Sequence, residues 1–118
     1  MDESFNVRAS VRYVHVSPQK ARLAADLVRG LDVTEALDIL RFTQKSAART
    51  VLKLLNSAIA NAEENFGLNR EDLVVDRIYA DKGPIRRWRR FGARGRFKPI
   101  LRRYSHITVV LREREEEL

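Results

Sequence analysis

Apolar and polar residues alternate at both ends of the chain, and between these ends the apolar residues recur at spacings of three and four. Over residues 5–15, Phe5, Val7, Ala9, Val11 and Tyr13 alternate with Asn6, Arg8, Ser10 and Arg12. That period of two predicts a strand with one buried face and one wet, basic face. Ser17-Pro18 then opens a helix, Ser as a cap for a free N–H and Pro at the first helical position. Its apolar stripe is Leu23, Ala24, Leu27 and Val28, and Gly30 is its stop. A second helix is expected at about 33–41, with Asp32 and Glu35 at capping-box spacing and Ala36, Leu37 and Leu40 turned inward. The third and longest, about 44–65, carries Ala47, Ala48, Val51, Leu52, Leu55, Ala58, Ile59 and Ala62 over four turns and ends at Gly67. Leu73 to Ala80 reads as a second strand. Ser105 to Arg112 reads as a third, with Ile107, Val109 and Leu111 on one face.

The expected fold class is therefore α+β: a three-stranded antiparallel sheet packed by three helices. The segment between the second and third strands does not fit that body. Gly83-Pro84 signals a turn or kink, and Gly92 and Gly95 flank Ala93-Arg94 near the midpoint. A long protruding hairpin is the economical reading. At roughly 3.3 Å per residue, arms of about eleven residues reach about 35–40 Å. The arm has too few apolar residues for a core of its own, so its tip is expected to be mobile until a partner fixes it. The whole is expected to be one domain over 1–118, with a body at about 5–80 and 105–112, an arm at about 81–104 and a frayed acidic tail at 113–118.

Charge sharpens the division. The 118 residues hold 23 Lys+Arg against 16 Asp+Glu, a net +7. From Arg77 to Arg103 there are eleven bases and one acid, Asp81, while the remainder is slightly acidic. An ordinary solvated face mixes signs. A run of one sign this long predicts a polyanionic partner such as a phosphate backbone. The absence of Cys excludes a disulfide framework, a thiolate zinc site and a cysteine nucleophile. No apolar run exceeds three residues, so no membrane span is expected, and the polar, acidic start does not read as a secretory signal.

No catalytic constellation can be assembled, and neither a metal nor a cofactor is expected. His15 and His106 stand at strand ends without ligand spacing, and no phosphate-binding glycine loop occurs. The candidate chemistry is the arm: Lys82, Arg86, Arg87, Arg89, Arg90, Arg94, Arg96, Lys98, Arg102 and Arg103. Arg dominates, and guanidinium binds phosphate bidentately and stacks on bases. Trp88, Phe91, Phe97 and Tyr104 are interleaved. They suit unstacked RNA bases, and they equally suit clamping across the hairpin. His106, beside Arg102-Arg103, is placed to meet a phosphate. A second candidate is the first helix start, where Lys20 and Arg22 come just after Ser17-Pro18, extended by Arg8 and Arg12 of the first strand.

Together these residues resemble a known family, the bacterial-type large-subunit ribosomal protein twenty-two family. Tyr13-Val14 leading to Ser17-Pro18-Gln19-Lys20-Ala21-Arg22-Leu23, then Asp26-Leu27-Val28-Arg29-Gly30, is similar to its opening. Glu35 to Leu40 and Leu55 to Glu63 are similar to its second and third helices. Asp81-Lys82-Gly83-Pro84, Gly95-Arg96 and Ser105 to Val110 are similar to the base, apex and exit of its hairpin. The resemblance implies a structural RNA-binding protein of the cytoplasmic ribosome, its body on the outer subunit surface near the peptide exit. It implies a hairpin threading large-subunit ribosomal RNA, with a tip that lines the nascent-peptide tunnel near the site of tunnel-blocking macrolides and takes part in sensing stalling peptides. By position that tip is Arg90, Phe91, Gly92, Ala93, Arg94, Gly95 and Arg96. The implied partners are large-subunit ribosomal RNA, ribosomal proteins near the exit and the nascent peptide. The chain departs from the family at Phe91-Gly92, where Pro-Arg is usual, at Phe97, usually small, and at Tyr104, usually Thr.

A second reading, a DNA-binding regulator, rests on the short turn between the second and third helices. It predicts a dimer on duplex DNA, whereas the ribosomal reading predicts a monomer on structured RNA. The charge sits on the arm and not on a recognition helix, which favours RNA.

Overall fold

In the computed structural model the backbone is described for residues 6–83, 86–91 and 97–114, and side chains for 6–83 and 103–114. Phe5, Pro84, the hairpin apex at 92–96 and the acidic tail beyond Arg114 lie outside the described residues. Five strands and three α-helices run in the order β1 (Asn6–Val14), α1 (Pro18–Asp26), α2 (Val33–Phe42), α3 (Ser46–Phe66), β2 (Leu73–Lys82), β3 (Arg86–Phe91), β4 (Phe97–Arg102) and β5 (Ser105–Glu113). A 3-10 turn at Arg70–Asp72 precedes β2. The first sheet has the order β1-β5-β2, both pairings antiparallel, and β3-β4 form a separate two-stranded sheet.

The helices cover one face of the first sheet. α3 lies against β1 and β5, α1 against β2 and β5, and α2 against α3 and β2. On α3 the buried residues are Ala47, Ala48, Val51, Leu54, Leu55, Ala58, Ile59 and Ala62, the expected stripe with Leu54 in place of Leu52. Leu52 still packs on the core, half-buried at its margin. Gly67 closes the helix in the left-handed region at φ 65°, where a glycine carries no Cβ penalty. From the sheet, Val7, Val75, Ile78, Ile107, Val109 and Leu111 enter the same core, all nearly fully buried. Each large side chain among them contributes about 1.5–3 kcal/mol by leaving water.

Three expectations are corrected. α1 turns its alanines inward: Pro18, Ala21, Ala24 and Ala25 are buried, while Leu23 and Leu27 are 52% and 44% exposed. Two arginines fix that orientation. Arg22 Nε donates to the Ala80 carbonyl at 3.2 Å, and Arg29 Nη2 donates to the Ile78 carbonyl at 2.8 Å. Small side chains between them let α1 sit close on β2. Next, β1 is not one regular strand. Its register shifts by one residue between Val11 and Val14, and Tyr13 has φ 58° and an exposed side chain. A one-residue bulge moves the succeeding side chains to the other face, which carries Tyr13 out of the buried row. Finally, Asp32 is the N-cap of α2 but makes no capping hydrogen bond; its carboxylate pairs with Arg114 at 2.9 Å.

The free edge of β2 is closed by the chain itself. Gly30 N–H donates to the Val75 carbonyl, and Val75 N–H donates to the Leu31 carbonyl, both at 2.9 Å. Arg70 pairs with Glu63 at 2.9 Å and ties the 3-10 turn to the end of α3. That hydrogen bond, with the attraction of the Glu63 charge, raises the Arg70 pKa further above its already high ordinary value. The molecule measures 71 × 30 × 23 Å, more than twice as long as it is wide, as an arm on a small body requires.

Candidate nucleic-acid interface

The interface begins where the body sheet becomes the arm. β2 and β5 stay paired to Lys82 and Ser105. The ladder then passes through Gly83, whose N–H donates to the Tyr104 carbonyl at 2.8 Å. A Cβ on residue 83 would stand 3.0 Å from both the Cβ and the carbonyl oxygen of Tyr104. That is tighter than ordinary van der Waals contact, so a larger residue would have to push the Tyr104 strand back by a few tenths of an ångström. Beyond it β3 and β4 run antiparallel from Arg86↔Arg102 to Phe91↔Phe97. The register sets Arg86 opposite Arg102 and Arg90 opposite Lys98. Like charges directly opposite destabilise a ladder. The arm's charge pattern therefore works against its own pairing and favours an external anion. Pro99 faces Arg89 in this two-stranded sheet, where the missing N–H costs least.

The hairpin base and the start of α1 converge. Ser17, Pro18, Gln19, Arg22, Lys82, Gly83, Arg103 and Tyr104 surround a cavity of about 400 Å³. A second, of about 270 Å³, lies between His15, Val16, Ser17, Lys20, Ser46 and Arg103. Arg103 borders both, so the two candidate patches of the sequence form one surface. Ser17 Oγ accepts the Lys20 N–H at 3.4 Å, and the first turn of α1 contains no acid. The His15 and Tyr104 rings stand 5.5 Å apart beside it.

The electrostatics separate two kinds of base. Arg112 and Arg77 share Asp76, at 3.1 and 3.6 Å. Arg29, Arg41, Arg70 and Arg114 also have carboxylate partners. Lys20, Arg22, Lys82 and Arg103 form no ion pair among the described residues. Arg22 spends Nε on the Ala80 carbonyl and is exposed beyond it. Among the described residues the bases without an ion pair are Lys20, Arg22, Lys82 and Arg103 around the hairpin base, and Arg8, Arg12, Lys45, Arg49 and Lys53 elsewhere on the body.

Not every expected residue joins this surface. Arg8 and Arg12 are exposed but border neither cavity. Arg8 lies opposite Val110 on the sheet face turned from the helices, with Arg77 on the other side. Val110 is 1% exposed there. His106 is held by Tyr13, whose backbone N–H donates to Nδ1 at 3.1 Å. Arg86, Arg87, Trp88, Arg89, Arg90, Phe91, Lys98 and Arg102 lie on the arm's backbone ladder. Gly92, Ala93, Arg94, Gly95 and Arg96 lie outside the described residues. Lys45 and Arg49, at the start of α3, are bases that the sequence pattern does not single out; two isolated bases in an ordinary helix leave no signal in a linear pattern.

The description "Ribosomal protein L22p/L17e" belongs to a family whose model matches residues 9–112, which includes the body, the hairpin base and the arm. A "Large ribosomal subunit protein uL22" of Finegoldia magna is 53% identical over 109 residues, covering 92% of this chain and 96% of the relative. A second protein of that name, from Syntrophomonas wolfei, is 56% identical over 108 residues with the same coverage. Identity of that order along almost the full length of both chains, on a sheet-and-helix body that ends in a basic hairpin, leaves one assignment: the chain belongs to the Ribosomal protein L22p/L17e family.

Proposed function

We propose that the chain is a constituent of the large ribosomal subunit and binds its ribosomal RNA by phosphate neutralisation. The observation that carries this reading is the convergence of Lys20, Arg22, Lys82 and Arg103, none of them paired with a carboxylate among the described residues, where the arginine-rich arm leaves the body. The name that the two relatives share supports the subunit. Phosphates of a folded RNA supply the counter-charge that the arm lacks over its own length. The base patch grips RNA near the body, and the arm enters between RNA segments. Its tip, Arg90 to Arg96, reaches the wall of the nascent-peptide tunnel. Partners are then large-subunit ribosomal RNA, ribosomal proteins near the exit and the nascent peptide. The protein is ribosome-bound in the cytoplasm and monomeric when free. Its role is to clamp RNA segments during assembly, with no reaction catalysed.

The test replaces Arg87, Arg89 and Arg90 together by Gln. The reading expects weaker binding to large-subunit ribosomal RNA with an unchanged unfolding transition. Undiminished binding, with the transition intact, would count against the arm as the RNA-contacting element.

A further inference from the structure

The turn between α2 and α3 carries an arrangement that the hairpin does not explain. α2 ends at Phe42, which is 85% exposed, the most open of the large apolar side chains described. Thr43 leaves the helix with extended backbone, and its Oγ1 donates to the Ile39 carbonyl at 2.7 Å. That hydrogen bond closes the last turn of α2 and sets the direction in which the chain leaves it. The chain neighbours of Phe42, Arg41 and Thr43, line a cavity of about 720 Å³ with Lys45, Ser46 and Arg49, floored by Leu40 and Leu52; the Phe42 ring itself stands outside that lining. Lys45 and Arg49 form no ion pair among the described residues, and Arg41 meets only Asp38, at 3.7 Å on an exposed surface. An exposed ring alone fits any apolar partner. Three bases around the adjoining cavity choose an anionic one. An exposed ring one residue away from a cavity lined by cations matches an unpaired nucleotide, whose base would stack while its flanking phosphates are neutralised.

We propose that this turn is a second RNA contact: Phe42 stacks an unpaired base of large-subunit ribosomal RNA, and Arg41, Lys45 and Arg49 hold the phosphates beside it. The inference rests on the RNA-binding reading above and adds a contact on the body, away from the hairpin.

The experiment measures binding of the full chain to large-subunit ribosomal RNA for Phe42→Ala, Phe42→Leu and Phe42→Tyr. At its exposure Phe42 contributes little to the core, and an unchanged unfolding transition checks that. Loss of one stacked base weakens binding about 5- to 100-fold for Ala and Leu, while Tyr stays within about twofold of the parent. Replacing Lys45 and Arg49 by Gln lowers the log–log salt slope by about 1–2. Full binding by the Leu variant would overturn the proposal, because apolar contact would then suffice. So would a Phe42→Ala defect seen only when other ribosomal proteins are present, which would make the ring a protein contact. If the parent chain itself shows no preference for ribosomal RNA over duplex DNA, the RNA-binding reading fails and this contact fails with it. If the parent prefers RNA and Phe42→Ala binds equally well, only this contact is lost.

Discussion

The backbone N–H of Tyr13 donates to Nδ1 of His106 at 3.1 Å, and the two rings meet edge to face with centroids 4.8 Å apart. This contact closes the bulge in β1 against the start of β5. Because Nδ1 accepts, the proton of the neutral ring sits on Nε2. His106→Ala should lower stability by about 0.5–1.5 kcal/mol through the lost hydrogen bond. His106→Asn, whose side-chain oxygen can accept in place of Nδ1, should recover part of it. Denaturant titration of the three proteins checks both expectations.

Ser105 holds the other side of the same junction. It is the only fully buried polar side chain among the described residues, and its Oγ donates to the Val16 carbonyl at 2.5 Å. Ser105→Ala leaves that carbonyl without its donor and should cost about 1–3 kcal/mol. Ser105→Val adds an overpacking cost and should be worse. Unfolding midpoints in that order, parent above Ala above Val, would bear out the geometry.

Gly83 is the narrow point of the hairpin base. A methyl group there meets the Tyr104 backbone at 3.0 Å, and backbone gives way less readily than a flexible side chain. Gly83→Ala should therefore part the strands at the base, cost about 1–3 kcal/mol and speed amide exchange at residues 82 and 105. Exchange there as slow as in the parent would contradict the close approach.

The orientation of α1 is open to an equally direct check. Ala25 is fully buried and Leu23 is half exposed. Ala25→Leu should destabilise by about 1–3 kcal/mol through overpacking, and Leu23→Gln should stay within about 0.5 kcal/mol. The opposite ranking would mean that the leucines face the core.

That same helix shows where sequence reading stops. α3 is legible because its apolar residues recur every three and four positions for most of its 21 residues and Gly67 marks its end. The arm is legible because ten bases with one acid over 81–104 have no use inside a small body. α1 is ambiguous in one dimension, since Leu23 and Leu27 and Ala21, Ala24 and Ala25 form adjacent stripes. Arg22 and Arg29 decide between them by reaching β2, more than forty residues away in the chain. Asp32 has a cap's spacing, but Arg114 takes its carboxylate from the far end of the chain. The bulge at Tyr13 depends on how β1 meets β5, which no local pattern records. The candidate site obeys the same rule. Its bases are visible one by one along the chain, and the meeting of Arg22 with Lys82 and Arg103 comes from the packing of α1 on β2.

On the proposed reading, Lys20, Arg22, Lys82 and Arg103 at the hairpin base, together with the arginines of the arm, bind a folded RNA and not merely negative charge. The direct measurement is binding to large-subunit ribosomal RNA against duplex DNA of equal charge across a salt titration. If the arm neutralises about eight phosphates, the log–log slope should be near −6. Ribosomal RNA should keep an advantage over duplex DNA at high salt, where charge alone no longer binds. Equal affinities that vanish together as salt rises would contradict the account and reduce the arm to a generic polycation.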